Sequence, residues 1–274
     1  MPDTDTTGRT FYFWFDAETT GLRVHDDTVL ELAWCLTDEN LKLLTPLRQR
    51  FTSIAARPSS RGSGRFIGYQ FDPADPEDWH NNERISEFVR SMHVDSGLYA
   101  EWVETAEARP YRLLRRANDF TRLAEEDLDL IRFDNQHDKL VLAGAGVSHF
   151  DNDLLTEVFD GFYPERPIVG SNWAYWCFDT SIAVRVAGAR EAIDELNDQL
   201  AADTYESGAE ILPYSLIECQ KGPEQDGLDH LISTTSHSGA EEFVRSAAIP
   251  HRAADDVMCS LLDARTLRYL VGAR

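Results

Sequence analysis

Phe11-Tyr12-Phe13-Trp14-Phe15-Asp16-Ala17-Glu18-Thr19-Thr20-Gly21-Leu22 sets five consecutive aromatic residues directly ahead of two carboxylates. A short, unbroken apolar run of this kind reads as a strand buried on both faces, and Thr19-Thr20-Gly21 breaks it. Asp16 and Glu18 are two positions apart, so strand geometry puts both side chains on one face. Two carboxylates side by side repel each other, an arrangement that is costly unless a cation neutralises them. Hard oxygen ligands of this type suit Mg²⁺ or Mn²⁺. Asp-x-Glu is also a common pair in an acidic chain, and exposed charges at a strand end would look the same.

Outward from this strand, Val29 to Leu36 is a second strand candidate, followed by the turn residues Asp38-Glu39-Asn40 and a third strand from Leu41 towards Phe51. Together they predict an antiparallel meander. Residues 53–68 are rich in Ser, Gly and Arg and read as a surface loop, as does Asp72-Pro-Ala-Asp-Pro76. From Arg84 the pattern turns helical, with Ile85, Phe88, Val89 and Met92 sharing a face. Ser96-Gly97 separates this helix from another beginning near Leu98, and Tyr111 to Leu130 reads as a longer amphipathic helix. Val141-Leu142-Ala143 is a second buried strand, Asp151 to Phe159 the helix after it, and a further strand is expected around Trp176-Cys177-Phe178. The stretch 181–248 reads as largely helical, and Pro250 precedes a last helix from about Ala253 to Val271. Strands first, then alternating helix and strand, give an α/β or α+β domain with a mixed sheet. One domain is expected over 1–274, with 1–9 as a disordered tail and 53–76 and about 190–245 as insertions.

Composition bounds the function. With 42% hydrophobic residues, 6 Trp and 14 Phe in 274 residues, the chain can fill a sizeable core. It has no run of about 18 apolar residues and no apolar leader, so a cytoplasmic protein with no membrane partner is expected. Cys35, Cys177, Cys219 and Cys259 form no CxxC pair, which leaves zinc-ribbon and thioredoxin readings without support; reduced, mostly buried thiols are expected. The net charge of −22, from 48 acidic and 26 basic residues, makes a poor grip for a long polyanion unless positive charges cluster. A short substrate held by a few contacts and by bound cations fits this charge, although acidity also serves solubility alone.

Two further stretches carry chemistry. Asp151, in Gly146-Val-Ser-His-Phe-Asp151-Asn-Asp-Leu-Leu155, follows a buried strand and opens a helix, where Asp also serves as an N-cap. His251-Arg-Ala-Ala-Asp255-Asp256 follows Pro250 and places a histidine in a loop with an acidic pair entering the last helix. Either acid of that pair could be the ligand.

Taken together, Asp16-Ala-Glu18-Thr-Thr-Gly21-Leu22, His149-Phe-Asp151-Asn-Asp-Leu-Leu155 and His251 followed after four residues by Asp256 resemble the three motifs of the DEDDh 3′→5′ exonucleases, within them most closely oligoribonuclease. The resemblance runs thinly from residue 11 to about 270. It implies a ribonuclease H-like fold, with a mixed central sheet flanked by helices and interrupted by insertions. It also implies that Asp16, Glu18, Asp151 and Asp256 bind two divalent cations, Mg²⁺ or Mn²⁺, and that His251 is the general base; the family spacing favours Asp256 over Asp255. Two such cations, roughly 4 Å apart, clamp the phosphate and stabilise attacking and leaving oxygens, and histidine is the side chain suited to taking a proton near neutrality.

The same resemblance implies substrate contacts. His93-Val-Asp-Ser96-Gly97-Leu98 is similar to a family segment in which His93 and Ser96 would face the substrate. Phe88 stands where the family has a tryptophan that stacks on a base, and Leu22 matches its leucine wedge. Stacking of this sort tolerates any base, while ordinary core packing would also place apolar residues there. Ser148 matches a serine that caps the terminal phosphate of a dinucleotide, and Tyr175 and Ser181 match further positions, but the family's arginine is Trp176 here. An indole cannot replace a guanidinium fork on phosphate, which puts strict dinucleotide preference in doubt. Arg48, Arg50, Arg57, Arg61 and Arg65 form a stretch without acids, and Arg109, Arg112, Arg115 and Arg116 form a second cluster; either could track a longer strand or simply pair with the many acids. The expected activity is release of nucleoside 5′-monophosphates from short single-stranded RNA, with a homodimer implied by the family. Two alternatives stand beside it: an exonuclease on single-stranded DNA or longer RNA, and a catalytically silent nucleic-acid or protein-binding module.

Overall fold

The structure is a computed structural model and describes residues 8–24, 27–55, 79–80, 83, 85–134, 136–156, 173–174, 176–188 and 249–272. The aromatic run becomes β1 (Thr10–Thr19). It pairs antiparallel with β2 (Thr28–Asp38), which pairs antiparallel with β3 (Arg48–Ala55). On its other side β1 runs parallel to β4 (Lys139–Gly144), and β4 runs parallel to β5 (Phe178–Asp179). The sheet order is therefore β3-β2-β1-β4-β5. This mixed five-stranded sheet with flanking helices is the arrangement expected from the sequence.

The position of β1 explains its composition. Phe11, Phe13 and Phe15 enter one core layer and Trp14 the other, so both faces of the strand are covered. Phe13 and Phe15 are fully enclosed, each stabilising the fold by roughly 1.5–3 kcal/mol through removal from water. The first layer is closed by α3 (Ala117–Leu130), whose Phe120 meets Trp34 edge-on at 4.9 Å and Phe15 at 5.9 Å. Trp34 Nε1 donates to the buried Asp127 of α3 at 2.9 Å, and Arg48 completes the pair with Asp127 at 2.7 Å. The second layer is closed by α6 (Ala253–Gly272). Its Ala253, Ala254, Val257, Met258 and Leu261 lie against Trp14, Ala33 and Cys35. Small residues on both sides let this helix sit close to the centre of the sheet.

A third cluster sits under the helical pair α1 (Glu87–Asp95) and α2 (Leu98–Ala108). Leu30, Trp79, Ile85, Leu98, Trp102 and Leu113 fill it, with Trp79 stacked on Tyr99 at 4.4 Å. Ser86 caps α1 by accepting from Val89 N, and Gly97 at φ 75° makes the sharp turn into α2 that other residues adopt only with strain. The remaining helices are α4 (Phe150–Leu154) and α5 (Thr180–Ala187).

Several expected boundaries move. The third strand begins at Arg48, not Leu41: Leu41 is left-handed at φ 63°, and Asp38 holds the turn by accepting from Asn40 N and Lys42 N. Residues 53–55, expected in a loop, belong to β3, which continues to Ala55. The long helix begins at Ala117, not Tyr111; Pro110 opens a short 3₁₀ turn, and Leu114 is drawn into a parallel bridge with Thr52 at the sheet edge. Near Trp176 the described strand is Phe178–Asp179, with an isolated parallel bridge from Trp173 to Leu140. Arg9 is fixed, its N–H donating to Asp138 Oδ1 at 2.9 Å. Residues 1–7, 56–78 and 189–248, and with them the proposed insertions and Cys219, lie outside the described residues, as does the end of the helix expected to reach Phe159. Among the described residues no helix is long and apolar enough to cross a membrane.

Candidate active site

Asp16 and Glu18 leave β1 on the face that carries Tyr12 and Trp14, the face α6 covers. The β1–β2 register sets Glu18 directly opposite Glu31 and then shifts between Glu18 and Thr19; such an irregularity re-aims side chains at a strand end. Asp151 arrives from the neighbouring strand. After β4 the chain turns at Gly144, where a Cβ would stand 2.7 Å from the Phe15 carbonyl oxygen, so only glycine lets this loop cross the end of β1 so closely. Asp151 then sits buried in the first turn of α4.

His251 and Asp256 come from the other layer. His251 is a left-handed loop residue (φ 63°) with an exposed side chain, just ahead of α6. Asp256 lies in the first turn of that helix. Glu18, His251 and Asp256 each bring a ligand atom within 4.8 Å of the others. Asp255, the rival of Asp256 in the sequence, is buried and accepts from Ile249 N at 2.8 Å, closing the loop instead.

The electrostatics link the remaining acids to this group. Burial raises Asp16 well above the usual carboxylate range, and the charges of Asp151, Glu18, Asp256 and Glu31 raise it further. Glu18 is pushed up to about 8 by burial and by Asp256, Glu31 and Asp151, with Arg252 pulling the other way. Asp151 is pushed up to about 7 by burial and by the charge of Asp179. A set of acids that resist ionising together, made of hard oxygens with one imidazole, fits a divalent cation of the Mg²⁺ or Mn²⁺ class. Asp16, Glu18, Asp151 and Asp256 are the residues that could hold it.

A cavity of about 810 Å³ opens onto Glu18 and His251, lined also by Thr20, Leu22, Phe88 and Met92 among others. A second, of about 300 Å³, continues past Phe88, Met92 and His251 towards Ser96 and Pro250. Leu22 and Phe88 are 82% and 74% exposed. They are not core residues, and both line the larger cavity.

The other expected substrate contacts that are described do not line the larger cavity. His93 is fully buried: Nε2 donates to the Thr19 carbonyl oxygen at 2.8 Å, and Nδ1 lies 3.9 Å from Glu18. Burial lowers its pKa, opposed by the bond to Thr19. It therefore backs the strand end that carries Glu18 and does not face the cavity. Ser96 is mostly buried but lines the smaller cavity. Ser148 and Ser181 both donate their hydroxyls to Asp179, at 2.7 and 2.6 Å. Tyr175 lies outside the described residues, while Trp176 is exposed.

Three residues not singled out in the sequence support the site. Asp179 also accepts from Gly146 N and Ser148 N, pinning the loop that leads to Asp151. Burial pushes Asp179 up, but these hydrogen bonds win and hold it at about 2. Glu31 and Arg252 form a buried ion pair beside Glu18 and His251. The one sequence signal for Glu31 was a lone acid in the apolar run Val29-Leu30-Glu31-Leu32-Ala33-Trp34.

No family model and no curated protein matches the chain. Among solved structures, it is similar to E. coli exonuclease I in a zinc-ion-bound complex with single-stranded DNA, at 12% identity and a TM-score of 0.40, over 96% of this chain and 41% of that one. It is similar to exonuclease I from Methylocaldum szegediense at 15% identity and a TM-score of 0.40, over 95% and 40%. A complex of the E. coli enzyme with a 5cy-dT13 oligonucleotide aligns at 14% identity and a TM-score of 0.43, over 95% and 41%. The chain spans less than half the length of these proteins.

Proposed function

We propose that this protein is a divalent-cation-dependent 3′→5′ exonuclease that releases nucleoside 5′-monophosphates from short oligoribonucleotides. The observation that carries this reading is the convergence of Glu18, His251 and Asp256 within 4.8 Å, with Asp16 raised by burial and by the charges of Asp151, Glu18 and Asp256. Two cations bound there would stabilise the charge of the scissile phosphate and its leaving oxygen. The chain's own residues do the rest. The four carboxylates set the position of the phosphate relative to His251. His251, exposed at the mouth of both cavities, takes the proton from an attacking water. Leu22 and Phe88 hold the terminal bases by apolar contact and stacking, which read no base edge and so suit a substrate of any sequence.

A second reading, an exonuclease on single-stranded DNA or longer RNA, has its own support. The hydroxyls of Ser148 and Ser181 are spent on Asp179, and Trp176 replaces a phosphate-gripping arginine, so no described contact ends the substrate at two nucleotides. The test is Mn²⁺-dependent hydrolysis of end-labelled RNA and DNA of two, seven and twenty nucleotides. Preferential cleavage of the shorter RNAs is the expected result. Rapid cleavage only of the twenty-mers favours the second reading, and no cleavage of any substrate with metal present favours a silent binding module.

A further inference from the structure

Arg252 follows His251 directly, and its guanidinium is used on two edges. Nε and one terminal nitrogen face Glu31 of β2, at 3.3 and 3.1 Å. The terminal nitrogens also face Glu101 of α2, at 3.1 and 2.9 Å. Glu31 is itself saturated: it accepts from Gln49 Nε2 and, at 2.9 Å, from the N–H of Ala253, the first residue of α6. The Arg252 carbonyl accepts from Asp256 N at 2.9 Å, starting the first turn of that helix. One side chain thus ties three parts of the site together: the sheet beside Glu18, the loop and helix start that carry His251 and Asp256, and the α1–α2 wall whose Phe88 and Met92 line both cavities.

We infer that Arg252, clamped between Glu31 and Glu101, is a positioning residue that holds His251 and the start of α6 in register with the β1 carboxylates. The inference rests on the exonuclease reading for its effect on turnover, while the clamp itself is a statement about structure. A buried arginine between two acids is an expensive way to secure a loop if packing would serve, since each charge must be desolvated. What it offers over an apolar plug is a planar fork with fixed directions, which sets orientation as well as distance. Lysine keeps the charge but has no second edge, and Glu101, 41% exposed on its side chain, can be changed without disturbing the core.

The experiment uses the full chain with Arg252→Lys and Glu101→Gln, and reads three quantities: amide hydrogen exchange, thermal melting, and kcat and KM on an end-labelled oligonucleotide with Mn²⁺. Exchange at Ala253 and Asp256 is expected to rise about tenfold or more in Arg252→Lys and less in Glu101→Gln, with exchange in β1 unchanged, the pattern of a local opening. Turnover is expected to fall about tenfold in Arg252→Lys and about threefold in Glu101→Gln with KM little altered, because small misplacements of a reacting group act on the chemical step. Unchanged exchange at Ala253 and Asp256 in both variants overturns the clamp, whatever the activity. Raised exchange with kcat within twofold of an active parent overturns the positioning role. If the parent hydrolyses nothing, the exonuclease reading fails, and raised exchange still supports Arg252 as the fixture of the loop.

Discussion

At the scale of single residues, Glu18 faces Glu31 across the β1–β2 pair, and Asp16 feels Asp151, Asp256 and Glu18 at once. Each acid therefore makes its neighbours harder to ionise. Glu18 at about 8 and Asp151 at about 7 are raised above their ordinary values of 4.5 and 3.8. The folded state consequently holds protons that the unfolded chain releases. The stability they contribute is fully present below about pH 4 and is lost as pH rises through 7 to 8, by proton linkage. Metal-free protein should therefore lose this contribution between pH 5 and pH 8. Mn²⁺ at about 100 times its Kd should restore about 2.7 kcal/mol at pH 8, and markedly less at pH 5, where protons compete for the same oxygens. Melting curves at both pH values, with Mn²⁺ and with EDTA, check this; a Mn²⁺ effect larger at pH 5 contradicts it. Glu18, His251 and Asp256, which the structure brings together, were legible in the sequence because each stands beside a local signal, a strand end or a helix start. Arg252, Glu31 and Asp179 were not, because their partners lie far away: 221 residues separate Arg252 from Glu31, and 31 separate Ser148 from Asp179. Ser148 reaches Asp179 across 31 residues, whereas Ser181 donates to it from two residues away, a local contact at the start of a helix.

Elements show a similar division. β1, β4 and α6 were legible because doubly buried strands and a proline-led helix leave compact apolar patterns. The helix expected from Tyr111 fails where a tertiary contact overrides periodicity, with Leu114 completing the edge of β3. In α1 the shared face of Phe88 and Met92 is real, but it faces a cavity. Phe88 stands between the larger and smaller cavities on that helix, and Leu22 projects from the turn after β1. Removing the ring should cost the stacking of one base, about 1–3 kcal/mol, and so raise KM for a short oligonucleotide about tenfold or more in Phe88→Ala. A KM within twofold of the parent would show that the ring is not a base platform.

At the scale of the molecule, the sheet order joins what the sequence keeps apart. β1 and β4 pair in parallel although 129 residues separate Thr10 from Lys139, and α6 closes over both. The turn signals predict the antiparallel meander of β1, β2 and β3, but no local pattern specifies that β4 lies parallel to β1 on its other edge. The candidate carboxylates gather on the α6 side of the sheet with Arg252 beside them, and in a chain of net charge −22 cations are the natural bridge to a phosphate. The central claim is that Asp16 and Asp256, remote in sequence, act as one cation-dependent hydrolytic unit. It is tested by hydrolysis of an end-labelled oligonucleotide by the parent, Asp16→Asn, Asp256→Asn and the double variant, with Mn²⁺ and with EDTA. The expected result is Mn²⁺-dependent release of mononucleotides by the parent, a loss of about 1,000-fold or more in each single variant and little further loss in the double, the non-additivity of residues that work together. Hydrolysis retained by Asp16→Asn, in protein that melts as the parent does, would contradict it.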